Sequence, residues 1–349
     1  MAERKYNENV DLNNELKLRE LLKTLPPFCR DYFIGIQPTT STRTRLSYAY
    51  DLAIFFDYIH KENPVYSKME VNTFPITLLD ELKVADIEEY LNYLRIYEKD
   101  GTAYSNKEKG IKRKLSSLRS MYNFFYRTER IHSNPAELVK TPKLHEKTIT
   151  RLDIDEVATL LDQVESGEKL TKRQLAFHEQ TKTRDLALMT LLLGTGIRVS
   201  ECVGLDIDDV DKKNNAIKIR RKGGNEAIVY FGDEVAEALY KYIDERITIE
   251  ACDNHKNALF LSLQKKRINV RSVENLVKKY SKLVTTVKNI TPHKLRSTYG
   301  TNLYRETGDI YLVADVLGHK DVNTTKRHYA AVEEDRRRSA ANAVRLREK

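Results

Sequence analysis

One stretch of this chain alternates, while the segments around it repeat with a helical period. From Ala216 to Phe231 the sequence runs A-I-K-I-R-R, then K-G-G-N, then E-A-I-V-Y-F. Strand side chains point to opposite faces in turn, so this period of two around a glycine-containing turn predicts a β-hairpin. Elsewhere apolar residues recur at threes and fours. Ser41 is placed to cap a helix on which Tyr48, Leu52, Phe55, Phe56 and Ile59 share a face. Val84 to Leu94 predicts a second helix, and Ile111, Leu115, Leu118, Tyr122 and Phe125 mark a third. The expected fold class is mainly α with a small antiparallel β-sheet.

A chain of 349 residues has room for two domains, each with its own core. Ser133 to Thr148 holds two prolines, several charges and no period, so it reads as a linker. That places a helical domain at residues 1–144 and a second domain at 145–349. In the second, a helix opens at Asp153, and the polar stretch Gly167 to Thr183 reads as a surface loop or short helix. From Arg184 a strongly apolar helix runs until Gly194 and Gly196 break it, and another begins near Arg198. The acidic run Asp206 to Asp211 reads as a solvated connection into the hairpin.

With 40% hydrophobic and 32% charged residues, the composition fits a soluble globular protein. A formal charge of +9 points towards a polyanionic partner. Cys29, Cys202 and Cys252 show no C-x-x-C spacing, which suits a reducing compartment. Neither a signal-peptide core nor an apolar run of membrane length is visible, so a cytoplasmic location and no membrane partner are expected.

Several polar groups invite a chemical reading. The third helix carries Lys107, Lys109, Lys112, Arg113, Lys114 and Arg119 against one acid, Glu108. Such a run is either a solvated helix face or a phosphate-tracking surface. Together with Arg43 and Arg45 it forms the candidate DNA-binding set. Arg198 follows the glycine-broken corner, with Glu201 one turn later. This is either a surface i,i+3 pair or an arginine turned into a cleft and steadied by a carboxylate. Thr291-Pro292 starts a helix, which sets His293 and Arg296 on one face near a helix end that favours anions. That histidine either caps and packs, or joins the arginine at a phosphate. Lys222, before Gly223-Gly224, is either a solubilising hairpin tip or an ammonium able to reach a leaving oxygen. His319 sits in L-G-H, and Tyr329, one of twenty tyrosines, follows ten residues later. A phenol has a pKa of about 10, so attack on phosphorus needs nearby cations or a base.

Competing chemistries lack their residues. The chain has no G-x-x-x-x-G-K-[ST], no H-E-x-x-H (His178-Glu179 lacks the second histidine), no glycine or distal glutamate for a calcium loop, and no evident set of converging carboxylates. No metal and no other cofactor are expected.

The ordered set G-T-G-I-R-V-S-E (Gly194 to Glu201), R-R-K-G-G-N, P-H-K-L-R and L-G-H-K-D-V-N-T-T-K-R-H-Y resembles the tyrosine recombinases, or phage-integrase family. The resemblance spans essentially the whole chain and is closest to Xer-type members. It implies a helical core-binding domain and an α+β catalytic domain, clamping DNA in a C shape. It assigns catalytic roles to Arg198, Lys222, His293, Arg296, His319 and the nucleophile Tyr329, with Glu201 in support. Two details depart from the pattern: Ser297-Thr298 follow H-K-L-R where many members have a further histidine, and the gap from His319 to Tyr329 is one residue longer than usual. The implied chemistry is cleavage and rejoining of DNA through a 3′-phosphotyrosine, without metal or ATP. The implied assembly is a dimer per site and a tetramer on two sites. The last segment, Val332 to Lys349, would dock on a neighbouring protomer, and a septal DNA translocase is an implied partner. Resolution of chromosome dimers is the favoured role. An integrase of a phage or mobile element, a type IB topoisomerase and a non-catalytic DNA-binding protein are the alternatives.

Overall fold

The computed structural model describes residues 5–99, 101–141, 143, 150–221, 224–319 and 321–322. The chain divides into two compact units, residues 1–147 and 148–349. Among the described residues, no helix is long and apolar enough to cross a membrane.

The first unit contains helices α1 (Tyr6–Leu22), α2 (Phe28–Gly35), α3 (Thr42–Glu62), α4 (Leu78–Glu81), α5 (Val84–Tyr93), α6 (Glu108–Arg127) and α7 (Pro135–Leu138). Ser41 caps α3 as expected, its hydroxyl accepting the Thr44 amide at 3.2 Å. The periodic apolar faces then form the core: Leu52, Phe55, Phe56 and Ile59 of α3 and Ile111, Leu115, Leu118, Tyr122 and Phe125 of α6 are all buried. Phe28 of α2 meets Phe56 and Phe125 edge to face, with ring centroids 5.8 and 5.6 Å away. Gly35 is what lets α2 lie so close to α6, because a Cβ there would stand 2.1 Å from the Phe124 ring.

Two features of this unit escaped the sequence reading. Strands β1 (Ile96–Lys99) and β2 (Thr102–Ser105) form an antiparallel hairpin within the expected all-helical half. Their side chains are nearly all solvent-facing, so no apolar alternation announces them. The Asp100-Gly101 dipeptide was the available signal. The expected linker also begins as packed structure. The Asn134 side chain caps α7, Pro135 takes its first position, and Pro135, Ala136 and Val139 are buried in the unit's core.

The second unit contains α8 (Ile154–Ser166), α9 (Lys172–His178), α10 (Lys182–Thr195), α11 (Val199–Gly204), a three-stranded sheet, then α12 (Asp233–Arg246), α13 (Val270–Val284), α14 (Pro292–Thr307) and α15 (Ile310–Leu317). The predicted hairpin is present as β4 (Ala216–Arg220) and β5 (Glu226–Tyr230), paired antiparallel from Ala216↔Tyr230 to Arg220↔Glu226. A short strand β3 (Val210–Asp211) joins its other edge through Val210↔Ile217. The acidic run is thus partly a strand rather than wholly a solvated connection, and Asp206 at its start is ion-paired with Arg267. The buried helix α10 forms the centre of the unit, with Ala187, Leu188, Met189, Leu191 and Leu192 all inside. Gly194 gives it close approach to α12, since a Cβ would lie 2.4 Å from a Val235 methyl.

Candidate active site

The site grows from three helix ends. The first is the break after α10. Gly196 adopts φ +62°, the left-handed region where glycine is favoured, and its amide bonds the Leu192 carbonyl at 3.1 Å. A side chain there would strike the Tyr299 ring at 2.4 Å and Leu317 at 2.9 Å. This corner turns the chain so that Arg198 occupies the N-cap position of α11. The buried Glu201 carboxylate accepts both the Arg198 amide at 2.7 Å and its guanidinium at 2.8 Å. The guanidinium is therefore steadied from behind while about a third of the side chain remains accessible.

The second end is the start of α14. Pro292 takes its first turn after Thr291, which supplies the N-cap backbone but no side-chain cap. His293 is exposed there, and Arg296, one turn on, is 5% exposed. Arg296 donates to the Gly196 carbonyl at 2.6 Å and to the Leu317 carbonyl. A planar guanidinium satisfies two divergent acceptors in a way a lysine cannot.

The third end is the close of α15. Gly318 at φ +63° ends that helix, and the His319 amide bonds back to the Ala314 carbonyl at 2.9 Å. Arg198 reaches the Gly318 carbonyl at 3.4 Å. Arg198, Arg296 and His319, separated by up to 121 positions in sequence, thus meet at one backbone turn. His293 stands one turn before Arg296 on the same helix end. Lys222, Tyr329 and the segment Val332 to Lys349 lie outside the described residues.

Sequence reasoning passed over Arg221. Its guanidinium donates to the carbonyls of Asp315 at 3.2 Å and Val316 at 2.8 Å. The last four carbonyls of this helix end, Asp315 to Gly318, are therefore each capped by an arginine. Cations suit that position, because a helix C-terminus carries unpaired carbonyls and partial negative charge. The only hint in the sequence was the doubled arginine ahead of K-G-G. Tyr299 lines the corner as a wall: burial pushes its hydroxyl above the ordinary phenol range, away from the phenolate form that nucleophilic attack requires.

The candidate DNA-binding cations sort into two groups. Arg45 is buried, ion-paired with Glu15, and bonded to the Gln37 and Thr40 carbonyls at 3.2 and 2.9 Å. Lys114 is buried against Asn106 at 3.0 Å, and burial lowers its pKa. Arg119 binds the carbonyls of Ala136 and Val139 and the Thr141 hydroxyl, which holds α7 in place. Arg45 and Lys114 are thus buried and Arg119 half-buried, each committed to partners inside the unit, unlike the solvated basic face expected from the sequence. Arg43, Lys107, Lys109, Lys112 and Arg113 are exposed. Of these, Arg113 is already paired with Asp51 at 2.7 Å, a carboxyl whose pKa is raised by burial despite the nearby Arg113 and Lys114.

With that geometry in hand, known proteins place the chain. The model of the phage integrase family matches residues 150–336, a span that includes Lys222 and Tyr329 as well as the four described site residues. The chain belongs to the phage integrase family, the tyrosine recombinases. It is 31% identical over 339 residues to the tyrosine recombinase XerC of Caldanaerobacter subterraneus subsp. tengcongensis, covering 94% of this chain and 89% of that protein. The tyrosine recombinase XerD of Staphylococcus epidermidis is 30% identical over 294 residues, covering 84% and 90%. Among solved structures, the XerH site-specific recombinase bound to palindromic difH substrate in a post-cleavage complex shares the fold. Its TM-score is 0.63 at 18% identity, over 86% of this chain and 80% of that one.

Proposed function

We propose that this chain cuts and rejoins double-stranded DNA at a specific site through a 3′-phosphotyrosine, as an Xer-type recombinase that resolves chromosome dimers. The observation that carries the reading is the meeting of Arg198, Arg296 and His319 at the close of α15. A scissile phosphate gains charge on its non-bridging oxygens as it is attacked, and fixed guanidinium donors stabilise that charge without reorganising. His319 donates a further hydrogen bond to the same oxygens. The Tyr329 oxygen forms the new bond to phosphorus as the bond to the 5′ oxygen breaks. His293 takes up the phenolic proton, and Lys222 supplies one to the departing oxygen. The phosphotyrosine conserves the energy of the broken bond, so a 5′ hydroxyl from a second duplex can reverse the step.

Duplex DNA is the partner, with the exposed Arg43, Lys107, Lys109 and Lys112 available to its phosphates. A dimer on each site, a tetramer on two, and a septal DNA translocase as activator belong to the same proposal. The test begins by mapping where the protein becomes covalently bound on chromosomal DNA. Nicked duplexes of the mapped sequence are then offered to the purified protein, and adducts are resolved under denaturing conditions. Wild type is expected to accumulate adduct, and Tyr329→Phe none, with duplex binding retained. An adduct in the Phe variant refutes the nucleophile. Relaxation of any supercoiled plasmid without site preference would mark a topoisomerase instead, and specific binding with no adduct a binding protein.

A further inference from the structure

Arg221 stands at the point where the hairpin leaves the sheet. Its own backbone closes the turn, with its amide on the Asn225 carbonyl at 2.7 Å and its carbonyl accepting the Gly224 amide at 3.1 Å. Its side chain then leaves the hairpin and crosses to the end of α15, taking the Asp315 and Val316 carbonyls. The guanidinium lies directly over Gly318, where a Cβ would come within 1.8 Å of its Nη1. Glycine at 318 therefore answers two demands, the left-handed backbone and the room for this arginine. The next residue along the hairpin is Lys222, and the next residue after Gly318 is His319.

We infer that Arg221 is a positioning residue that fastens the hairpin bearing Lys222 to the corner bearing His319, so that the proton donor for the leaving oxygen is registered against the phosphate cradle. The inference rests on the proposed recombinase chemistry and deepens it. Arg221 itself touches no reacting atom. Removing its side chain leaves Arg198 and Arg296 with their own carbonyl partners and cuts the tie between the hairpin and the end of α15.

The leaving group provides the test. In cleavage of an ordinary duplex, the 5′ oxygen departs as an alkoxide unless a proton reaches it. A 5′-bridging sulfur departs as a thiolate of much lower pKa and needs no proton. Single-turnover adduct formation is compared on nicked duplexes with oxygen or sulfur at that position, for wild type, Arg221→Ala, Arg221→Lys and Gly318→Ala. General acid catalysis contributes roughly 100-fold or more, so Arg221→Ala is expected to lose at least about tenfold on the oxygen substrate and less than about threefold on sulfur. Arg221→Lys, whose compact ammonium lacks the guanidinium's spread of donors, should fall between. Gly318→Ala, which evicts the guanidinium, should follow Arg221→Ala in its oxygen-to-sulfur ratio. Equal losses on both substrates, or no loss on either, overturn the inference. A wild-type protein that forms no adduct with either substrate overturns instead the recombinase reading beneath it.

Discussion

The basic helix α6 and the end of α15 gather cations in opposite ways. Along α6 six lysines and arginines crowd into thirteen positions, and the structure turns half of them inward or against neighbours: Lys114 to Asn106, Arg113 to Asp51, Arg119 to the backbone of α7. Around α15, Arg198, Arg221 and Arg296 are scattered through the sequence yet meet on four consecutive carbonyls. Density of charge along a helix is therefore a poor guide to a site. A better guide is where unpaired backbone acceptors are left, because a buried carbonyl without a donor is costly and draws an arginine to it.

This contrast can be broken by substitution. The largest effect is expected from Arg296→Ala. It removes a cradle donor, for which losses of about 100- to 1,000-fold are usual, and strands the buried carbonyls of Gly196 and Leu317, at about 1–3 kcal/mol for each unsatisfied group. Adduct kinetics and urea unfolding should both register it, and Arg296→Lys should recover little of either. If Arg296→Ala unfolds like wild type, the carbonyl contacts are incidental. Next comes Glu201→Gln, which keeps the size of the side chain beside Arg198 but removes the charge and turns one of its two accepting oxygens into a donor. Adduct formation should fall by about tenfold, roughly 1.4 kcal/mol, with binding unchanged. The smallest effect separates the two groups of cations on the first unit. Replacing Lys107, Lys109 and Lys112 by Gln should flatten the salt dependence of duplex binding by up to about 0.9 for each phosphate no longer neutralised. Lys114→Met should leave that slope alone and alter only the stability of the unit. A salt slope that changes with Lys114 would return it to the DNA-contacting set.

Much of the framework was legible from local pattern. The faces of α3 and α6, the Ser41 cap, the α10 break at Gly196 and the β4–β5 hairpin all follow from period, caps and turns within a few residues of each other. What was not legible depends on partners far along the chain. The burial of Arg45 follows from Glu15 on α1, and the engagement of the half-buried Arg119 from α7, neither of which changes the charge pattern near the arginine itself. The β1–β2 hairpin was invisible because solvent lies on nearly all of its side chains, removing the apolar alternation on which strand recognition depends. Within the site, the order of the motifs gave Arg198, His293, Arg296 and His319. It could not reveal Arg221, whose role is set entirely by a partner more than ninety residues away.

At the end of α15, Arg221 and Arg296 lean on the protein's own peptide groups, and Arg198 leans on one of them and on the Glu201 carboxylate. The most enclosed of these contacts, made by Arg296, are shielded from bulk electrolyte, which screens exposed pairs far more than buried ones. On the proposed reading, brine strong enough to sweep duplex off Lys107, Lys109 and Lys112 should leave this part of the cradle standing, so that the vacated enzyme is ready for its next phosphate as soon as the ionic strength falls.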